Sequence, residues 1–152
     1  MCYLKPMGIE EYQSYLTKAI SNYASELVKS GEFTEKSADF EAEKAFYRLL
    51  PDGLKTKDQY IFNIHHENHQ IIVMIWYGLR SDDEGFIYDF EIDETSRGKG
   101  YGKESLTLHE EHARLMHVKK MGLHVFGHNK HAYELYKKMG YHAYSIHMSK
   151  EI

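Results

Sequence analysis

The feature that most constrains this chain is a glycine-rich run at a strand–helix junction, Arg97-Gly98-Lys99-Gly100-Tyr101-Gly102. It follows a strand-like stretch, residues 86–93, and precedes a helix-like stretch, residues 101–117. A helix that begins at such a loop presents free N–H groups and a positive dipole end, which favour a phosphate or pyrophosphate. The run adds positive charge at Arg97, Lys99 and Lys103 to a chain whose net charge is −4. Because a solvated glycine-rich turn has the same composition, the flanking sequence must distinguish the two interpretations.

Two common phosphate-binding motifs fit the run poorly. A P-loop has four residues between its first glycine and its Gly-Lys pair, followed by Ser or Thr. Here three residues separate Gly98 from Gly102, and Glu104 stands where the hydroxyl should be. A dinucleotide loop has the form G-x-G-x-x-G, with an acidic residue at the end of the next strand. The third glycine here comes one residue early, and the next strand ends in Gly127-His128-Asn129. The spacing excludes a P-loop and disfavours a dinucleotide site.

The hydrophobic pattern predicts strands that alternate with helices. Apolar residues recur three or four apart over residues 9–28 and 38–50, which predicts amphipathic helices ended by Gly31 and Pro51. Strands are predicted over residues 2–6, 60–65, 70–77, 86–93, 121–126 and 141–148, and further helices over residues 101–117 and 130–139. The order β-α-α-β-β-β-α-β-α-β indicates an α/β fold, with a mixed sheet and helices on both faces.

Two motifs together resemble the GNAT family of N-acetyltransferases. Arg97-x-x-Gly100-x-Gly102 has the form Q/R-x-x-G-x-G/A, that family's pyrophosphate loop for acetyl-CoA. A second segment, 129–141, resembles its N-x-x-A-x-x-L-Y-x-K-x-G-F/Y motif, with the matching residues Asn129, Ala132, Leu135, Tyr136, Lys138, Gly140 and Tyr141. The resemblance spans residues 85–150 and extends to a bacterial subgroup of acetyltransferases. The N-terminal half matches the family less distinctly.

The resemblance implies a single GNAT domain over residues 1–152, with a central, mostly antiparallel mixed sheet. It implies an enzyme that uses acetyl-CoA as acetyl donor. The acetyl group would pass directly, in a ternary complex, to a primary amine of a small molecule or peptide. The alternative is a non-catalytic acyl-CoA-binding sensor or an interaction protein with the same fold.

The resemblance also assigns the residues of the site. Main-chain groups of residues 90–92 would pair with the pantetheine arm, and Tyr136 would be the general acid that protonates the leaving thiolate. Tyr136 could instead be a packing aromatic, and Asn129 could also be a helix N-cap. The expected cofactor-binding residues are Phe90, Glu91, Ile92, Arg97, Gly98, Lys99, Gly100, Tyr101, Gly102, Lys103, Asn129, Ala132 and Tyr136.

The general base is harder to assign from sequence. Asp89 and Glu91 share one face of a predicted strand, ~7 Å apart from the rise per residue. Burial could raise the pKa of either carboxyl, and either could accept a proton or bind a cationic acceptor. They could equally line a solvated face. The best-known family base, a glutamate, would align near Phe86, and His124 and His128 are further options.

Composition limits the remaining possibilities. The single cysteine, Cys2, excludes an internal disulfide and suits a cytoplasmic protein, and no apolar run is long enough to span a membrane. A negative net charge disfavours nucleic acid as the main partner. Although the chain has 11 histidines, His109 and His112 have i, i+3 spacing rather than the zincin i, i+4, so no metal is expected. We expect a monomer or homodimer.

Overall fold

The computed structural model describes residues 1–152 and contains five strands and four α-helices. The elements are β1 (Tyr3–Pro6), α1 (Ile9–Lys29), α2 (Glu35–Leu49), β2 (Gln59–His65), β3 (Ile71–Leu79), β4 (Glu84–Ile92), α3 (Tyr101–Leu115), β5 (Lys120–Leu123) and α4 (Lys130–Lys138). Short 3-10 turns at Gly53–Lys55 and Glu94–Ser96 precede β2 and the glycine-rich loop. The predicted α/β fold class is confirmed.

The strands form one sheet in the order β1-β2-β3-β4-β5. The pairs β1–β2, β2–β3 and β3–β4 are antiparallel, and β4–β5 is parallel. The sheet is therefore mixed and mostly antiparallel, as predicted. Because β5 is parallel to β4, the chain has to cross one face of the sheet between them, and α3 makes that crossing.

Helices cover both faces of the sheet. On one face, Leu16 of α1 and Phe46 of α2 pack with Met74 and Trp76 of β3. On the other face, the alternate β3 residues pack against α3 and α4, in a cluster that contains Val73, Ile75, Tyr77, Leu106, Ala113 and Tyr136. Since both faces of β3 are covered, its side chains from Ile72 to Tyr77 are buried and apolar throughout.

The histidines on α3 are packing residues. His109 is fully buried beside the ring of Tyr77, at 4.9 Å between centroids. Burial lowers the pKa of His109 to about 4, so its ring is neutral near pH 7. His112 accepts from or donates to the Tyr77 hydroxyl through Nδ1 at 2.6 Å. Both rings belong to the interface between α3 and the sheet.

The C-terminal part of the chain differs from the prediction. The strand expected over 121–126 ends at Leu123, and the strand expected over 141–148 is absent, since these residues have no regular secondary structure. The alternating pattern is present, but a strand also needs a neighbouring edge with which to form hydrogen bonds. A cavity of about 770 Å³ is lined by both β5 and this segment, and Tyr144, Ile146 and Met148 are exposed.

None of the four helices combines the length and the apolar character that a membrane crossing would require.

Candidate active site

A β-bulge at Tyr88 shapes the site. Asp89 pairs with Trp76 and Ile87 pairs with Tyr77, so Tyr88 is an extra residue in β4. Its ring stacks on Trp76 at 4.9 Å, on the side of the sheet that α1 and α2 cover. Strict alternation predicted that Tyr88 would share a face with Phe90 and Ile92, and this is wrong. The bulge puts Tyr88 and Asp89 on the same side, and a bulge also bends its strand.

Beyond the bulge, β4 and β5 separate and no longer pair. Their parallel pairing covers only Glu84–Ile87 against Lys120–Leu123, so residues 88–92 leave one edge of β4 unpaired. This separation also explains why β5 ends at Leu123, because β4 is its only partner. The result is a gap in the sheet between the second half of β4 and the chain that follows β5.

Residues of β4 alternate between those that form hydrogen bonds with β3 and those that do not, and this alternation determines which main-chain groups face the gap. The N–H of Asp93 donates to the carbonyl of Ile72 at 2.8 Å. Because hydrogen-bonded pairs alternate in an antiparallel ladder, Asp89 and Glu91 direct their main chain to β3, while Phe90 and Ile92 direct theirs to the gap. Of the three residues expected to offer main-chain groups, Phe90 and Ile92 offer them at this edge, and Glu91 offers its side chain.

The glycine-rich loop lies at the end of the gap. Gly98 and Gly100 have φ of +75° and +83°, a region that side chains with a Cβ disfavour. Gly100 is the N-cap of α3, so the first-turn N–H groups of this helix, at Tyr101, Gly102 and Lys103, have no partner within the helix. These N–H groups and the helix dipole suit an anion.

Gly102 has a different role from the other two glycines. A Cβ at this position would lie 3.0 Å from Cδ2 of Leu135 and 3.1 Å from Cδ1 of Ile92. The absence of a side chain therefore lets the start of α3 pack tightly against both β4 and α4. This contact fixes the loop relative to the two elements that border the gap.

The basic residues of the loop are exposed. The Nε–H of Arg97 donates to the carbonyl of Ile92 at 3.2 Å, which places the guanidinium at the end of the β4 edge. Lys99 and Lys103 extend into solvent. The ring of Tyr101 lies edge-on to that of His66 at 5.6 Å, so the β2–β3 hairpin borders the loop.

Asp89 is the more buried of the two predicted carboxylates. Its Oδ2 accepts a hydrogen bond from the Tyr15 hydroxyl of α1 at 2.7 Å. The pKa of Asp89 is raised to about 6, chiefly by burial; the Tyr15 hydrogen bond acts in the opposite direction, the negative charge of Glu91 adds to the rise, and a hydrogen bond from the Phe90 N–H reduces it. A carboxyl with this pKa is mostly ionised at pH 7 and can still accept a proton.

Glu91 has a different environment. Its pairing with Met74 puts it on the same side of the sheet as Asp89, as the sequence predicted. Its carboxylate lies 3.9 Å from the Lys18 ammonium, and its side chain is 36% exposed. A partly exposed carboxylate that already pairs with an ammonium group is suited to binding a cation.

Tyr136 of α4 approaches the gap from the other side of the sheet. It is buried, with its ring 6.3 Å from that of Phe90 and 5.8 Å from that of Tyr141. Burial raises the pKa of Tyr136 to about 12, and the charge of Asp89 contributes to the shift. Because the Tyr136 ring packs beside Phe90, the neighbour of Asp89 in β4, the two groups lie on either side of the same part of the strand.

The remaining predicted residues have clear positions. The Asn129 side chain caps α4 by accepting from the N–H of Ala132 at 3.2 Å, so the predicted N-cap is confirmed. His128 bonds the Glu26 carboxylate of α1, and His124 lies edge-on to Phe126. Phe86 lies under the guanidinium of Arg80, 3.4 Å from its ring centre, so this position carries an apolar side chain where a base was considered.

The sequence did not identify Tyr15 as a partner of Asp89. By residue type alone, Tyr15 is one of five aromatic residues that could line an acceptor groove, with Tyr12, Tyr23, Tyr47 and Trp76. Of these, Tyr12 and Trp76 are buried core residues, whereas Tyr15 and Tyr23 are half-buried and Tyr47 is exposed. No local pattern could have paired residues 74 positions apart.

Comparison with known proteins agrees with this geometry. The sequence model described as the acetyltransferase (GNAT) family matches residues 22–141. Two proteins of Bacillus subtilis strain 168, both named as uncharacterized N-acetyltransferases, are similar over nearly the whole chain. YycN is 37% identical and YdgE 34% identical, each over 98% of this chain and 97% of the relative.

Solved structures extend the comparison to the fold. The crystal structure of YycN superposes with a TM-score of 0.96 at 36% identity, covering 100% of this chain and 99% of that one. An acetyl transferase from Pyrococcus furiosus shares the fold at 22% identity, with a TM-score of 0.69 and complete coverage of both chains. The parted strands, the glycine-rich loop and these relatives together show that the chain belongs to the acetyltransferase (GNAT) family.

Proposed function

We propose that the protein transfers an acetyl group from acetyl-CoA to a primary amine of a small molecule or peptide, directly within a ternary complex. The observation that carries the proposal is the gap between β4 and β5, with Asp89 at one side and Tyr136 at the other. A cytoplasmic setting suits a chain whose one cysteine, Cys2, is free.

The residues at the gap fit acetyl-CoA. The main-chain groups of Phe90 and the N–H of Ile92 have no strand partner and can pair with an extended, amide-containing arm as a further strand would, whereas the Ile92 carbonyl already accepts a hydrogen bond from Arg97. The free N–H groups at the start of α3, with Arg97 and Lys99 nearby, can hold a pyrophosphate. By the family resemblance, Lys103, Asn129 and Ala132 would also contribute to binding.

Acetyl-CoA supplies an activated thioester when it is bound. The N–H of Phe90 would stabilise negative charge that develops on the thioester oxygen. Asp89 would accept the proton that the amine loses as its nitrogen bonds to the acetyl carbon. Tyr136 would donate its proton to the sulfur as the carbon–sulfur bond breaks. One proton leaves the amine and one reaches the sulfur, leaving CoA as the free thiol and the amine as an amide. Return of a proton from Asp89 to Tyr136 through solvent then restores both groups.

The pKa values of these two groups are suited to opposite roles. The pKa of Asp89, about 6, makes it a proton acceptor at neutral pH, and that of Tyr136, about 12, keeps it protonated. Environments that separate two pKa values in this way mark an acid–base pair. Glu91, which lies beside Asp89 and is more exposed, would attract a cationic acceptor such as a polyamine, an amino sugar or a peptide N-terminus.

The first test is cofactor binding by the loop. Gly100→Val should abolish acetyl-CoA binding in calorimetry, because a β-branched residue is strained at this φ and its side chain blocks close approach of the pyrophosphate. Gly31→Val is the matched control, since Gly31 has φ +82°, no atom within 4 Å of a Cβ, and a position after α1. The control should lose stability but keep its affinity. Parental affinity in Gly100→Val would contradict the assignment of the loop.

The second test is the general acid. Tyr136→Phe keeps the ring and removes only the hydroxyl, so acetyl-CoA affinity should change little while turnover falls by roughly 10²–10⁴-fold. Release of free thiol with a panel of amines measures turnover and also distinguishes an enzyme from an acyl-CoA sensor. Tyr141→Phe is the control, because its buried hydroxyl has no hydrogen-bond partner. If Tyr136→Phe turns over at the parental rate with chemistry rate-limiting, Tyr136 is a packing residue.

The third test is the general base. A protonated Asp89 cannot accept a proton, so log kcat/KM for the amine should fall more steeply below about pH 6, the pKa of this carboxyl. Asp89→Asn should lose this additional slope and most of its rate. Glu91→Gln should keep the slope and raise KM for a cationic amine. A parental pH profile in Asp89→Asn would show that Asp89 is not the base.

A further inference from the structure

Tyr15 links helix α1 to the candidate base. It lies in the middle of α1, half-buried, on the face that packs against the sheet. Its hydroxyl donates to Oδ2 of Asp89 at 2.7 Å, just beyond the bulge. The hydrogen bond ties one carboxylate oxygen to α1, and Oδ1 makes no bond to another side chain. The carboxylate is thereby held in one orientation, with an oxygen still able to receive a proton.

We infer that Tyr15 is a positioning residue, which orients the Asp89 carboxylate and keeps it available as the proton acceptor of acetyl transfer. The inference rests on the proposed N-acetyltransferase function and adds a role for α1 to it. Tyr15 itself does not exchange a proton in this role, because burial and the charge of Asp89 raise the pKa of its phenol well above the ordinary value. It remains a hydrogen-bond donor throughout the working pH range.

The other groups that face Asp89 do not replace this hydrogen bond. The main-chain N–H of Phe90 also bonds the carboxylate and lowers its pKa, but by less than Tyr15 does. Glu91, on the same strand face, is a like charge that favours the protonated carboxyl, and the Lys18 ammonium pairs with Glu91. The negative charge of Asp89 helps to keep the hydroxyl of Tyr136, on α4, protonated. From β3, the partner of Asp89 is Trp76, which does not titrate and whose Nε1–H donates to Gln59 at 2.7 Å. Tyr15 is therefore the side chain that stabilises the ionised form of Asp89.

Tyr15→Phe tests the inference without removing the ring. Loss of a hydrogen bond to a charged group should raise the pKa of Asp89, moving the acidic limb of kcat/KM upward by about one pH unit. At pH 6 the variant should therefore be several-fold slower than the parent protein, while well above the limb the two rates should converge. Acetyl-CoA affinity should be unchanged, because Tyr15 packs on the side of the sheet that α1 and α2 cover, whereas the loop begins α3 on the other side.

Tyr12→Phe is the matched control. Tyr12 is on the same helix, with its ring 6.4 Å from that of Tyr15, and it is a buried core residue. Removal of the Tyr12 hydroxyl should leave the acidic limb of kcat/KM at the same pH as in the parent protein. Thermal melts of both variants identify any general loss of folding.

A second readout separates this inference from the proposed function. The side-chain carboxyl of Asp89 can be titrated by carbon-13 NMR in the free protein, with no turnover required. A raised midpoint in Tyr15→Phe together with a shifted limb supports the inference. An unchanged midpoint overturns it, whatever amines are acetylated. If the titration midpoint of Asp89 rises in Tyr15→Phe but the acidic limb of kcat/KM stays at the same pH, the inference is also overturned. The Asp89→Asn variant then decides separately whether Asp89 is the base.

Discussion

The site depends on the parting of β4 from β5. A sheet normally satisfies the main-chain groups of an inner strand on both edges, and β4 does so only as far as Ile87. The bulge at Tyr88 bends the strand there and leaves Phe90 and Ile92 with main-chain groups that have no strand partner. Polar main-chain groups in such a position have to bind something, and an extended amide-containing arm is a chemically matched ligand. In the proposed function, the loop at the end of the same strand receives the phosphates.

The same gap brings together side chains from opposite faces of the sheet. Asp89 lies on the side covered by α1 and α2, and Tyr136 belongs to the core on the side covered by α3 and α4. With a continuous sheet, these two groups would be separated by a strand. Across the gap, the negative charge of Asp89 favours the protonated form of Tyr136. One distortion of the backbone thus accounts for both the proposed cofactor-binding edge and the proposed acid–base pair.

The sequence predicted the elements whose signals are local. The glycine spacing at residues 97–102 and the motif around Tyr136 located the loop and α4, and apolar periodicity located α1, α2 and α3. Contacts between distant parts of the chain were not predictable in this way. The bulge was hidden because apolar and acidic residues alternate regularly through Tyr88, and the Tyr15–Asp89 hydrogen bond joins residues far apart in sequence. The strand expected over 141–148 had the right alternation but no partner edge.

Amide hydrogen exchange, resolved by residue, tests the central claim most directly, because it reports on the β4 edge without any need for turnover. Saturating acetyl-CoA should slow exchange at the amides of Phe90 and Ile92, which face the gap. The amide of Glu91, which faces β3, should be protected with or without the ligand. If the amides of Phe90 and Ile92 exchange equally fast in both states while acetyl-CoA is bound, the β4 edge is not where its arm lies.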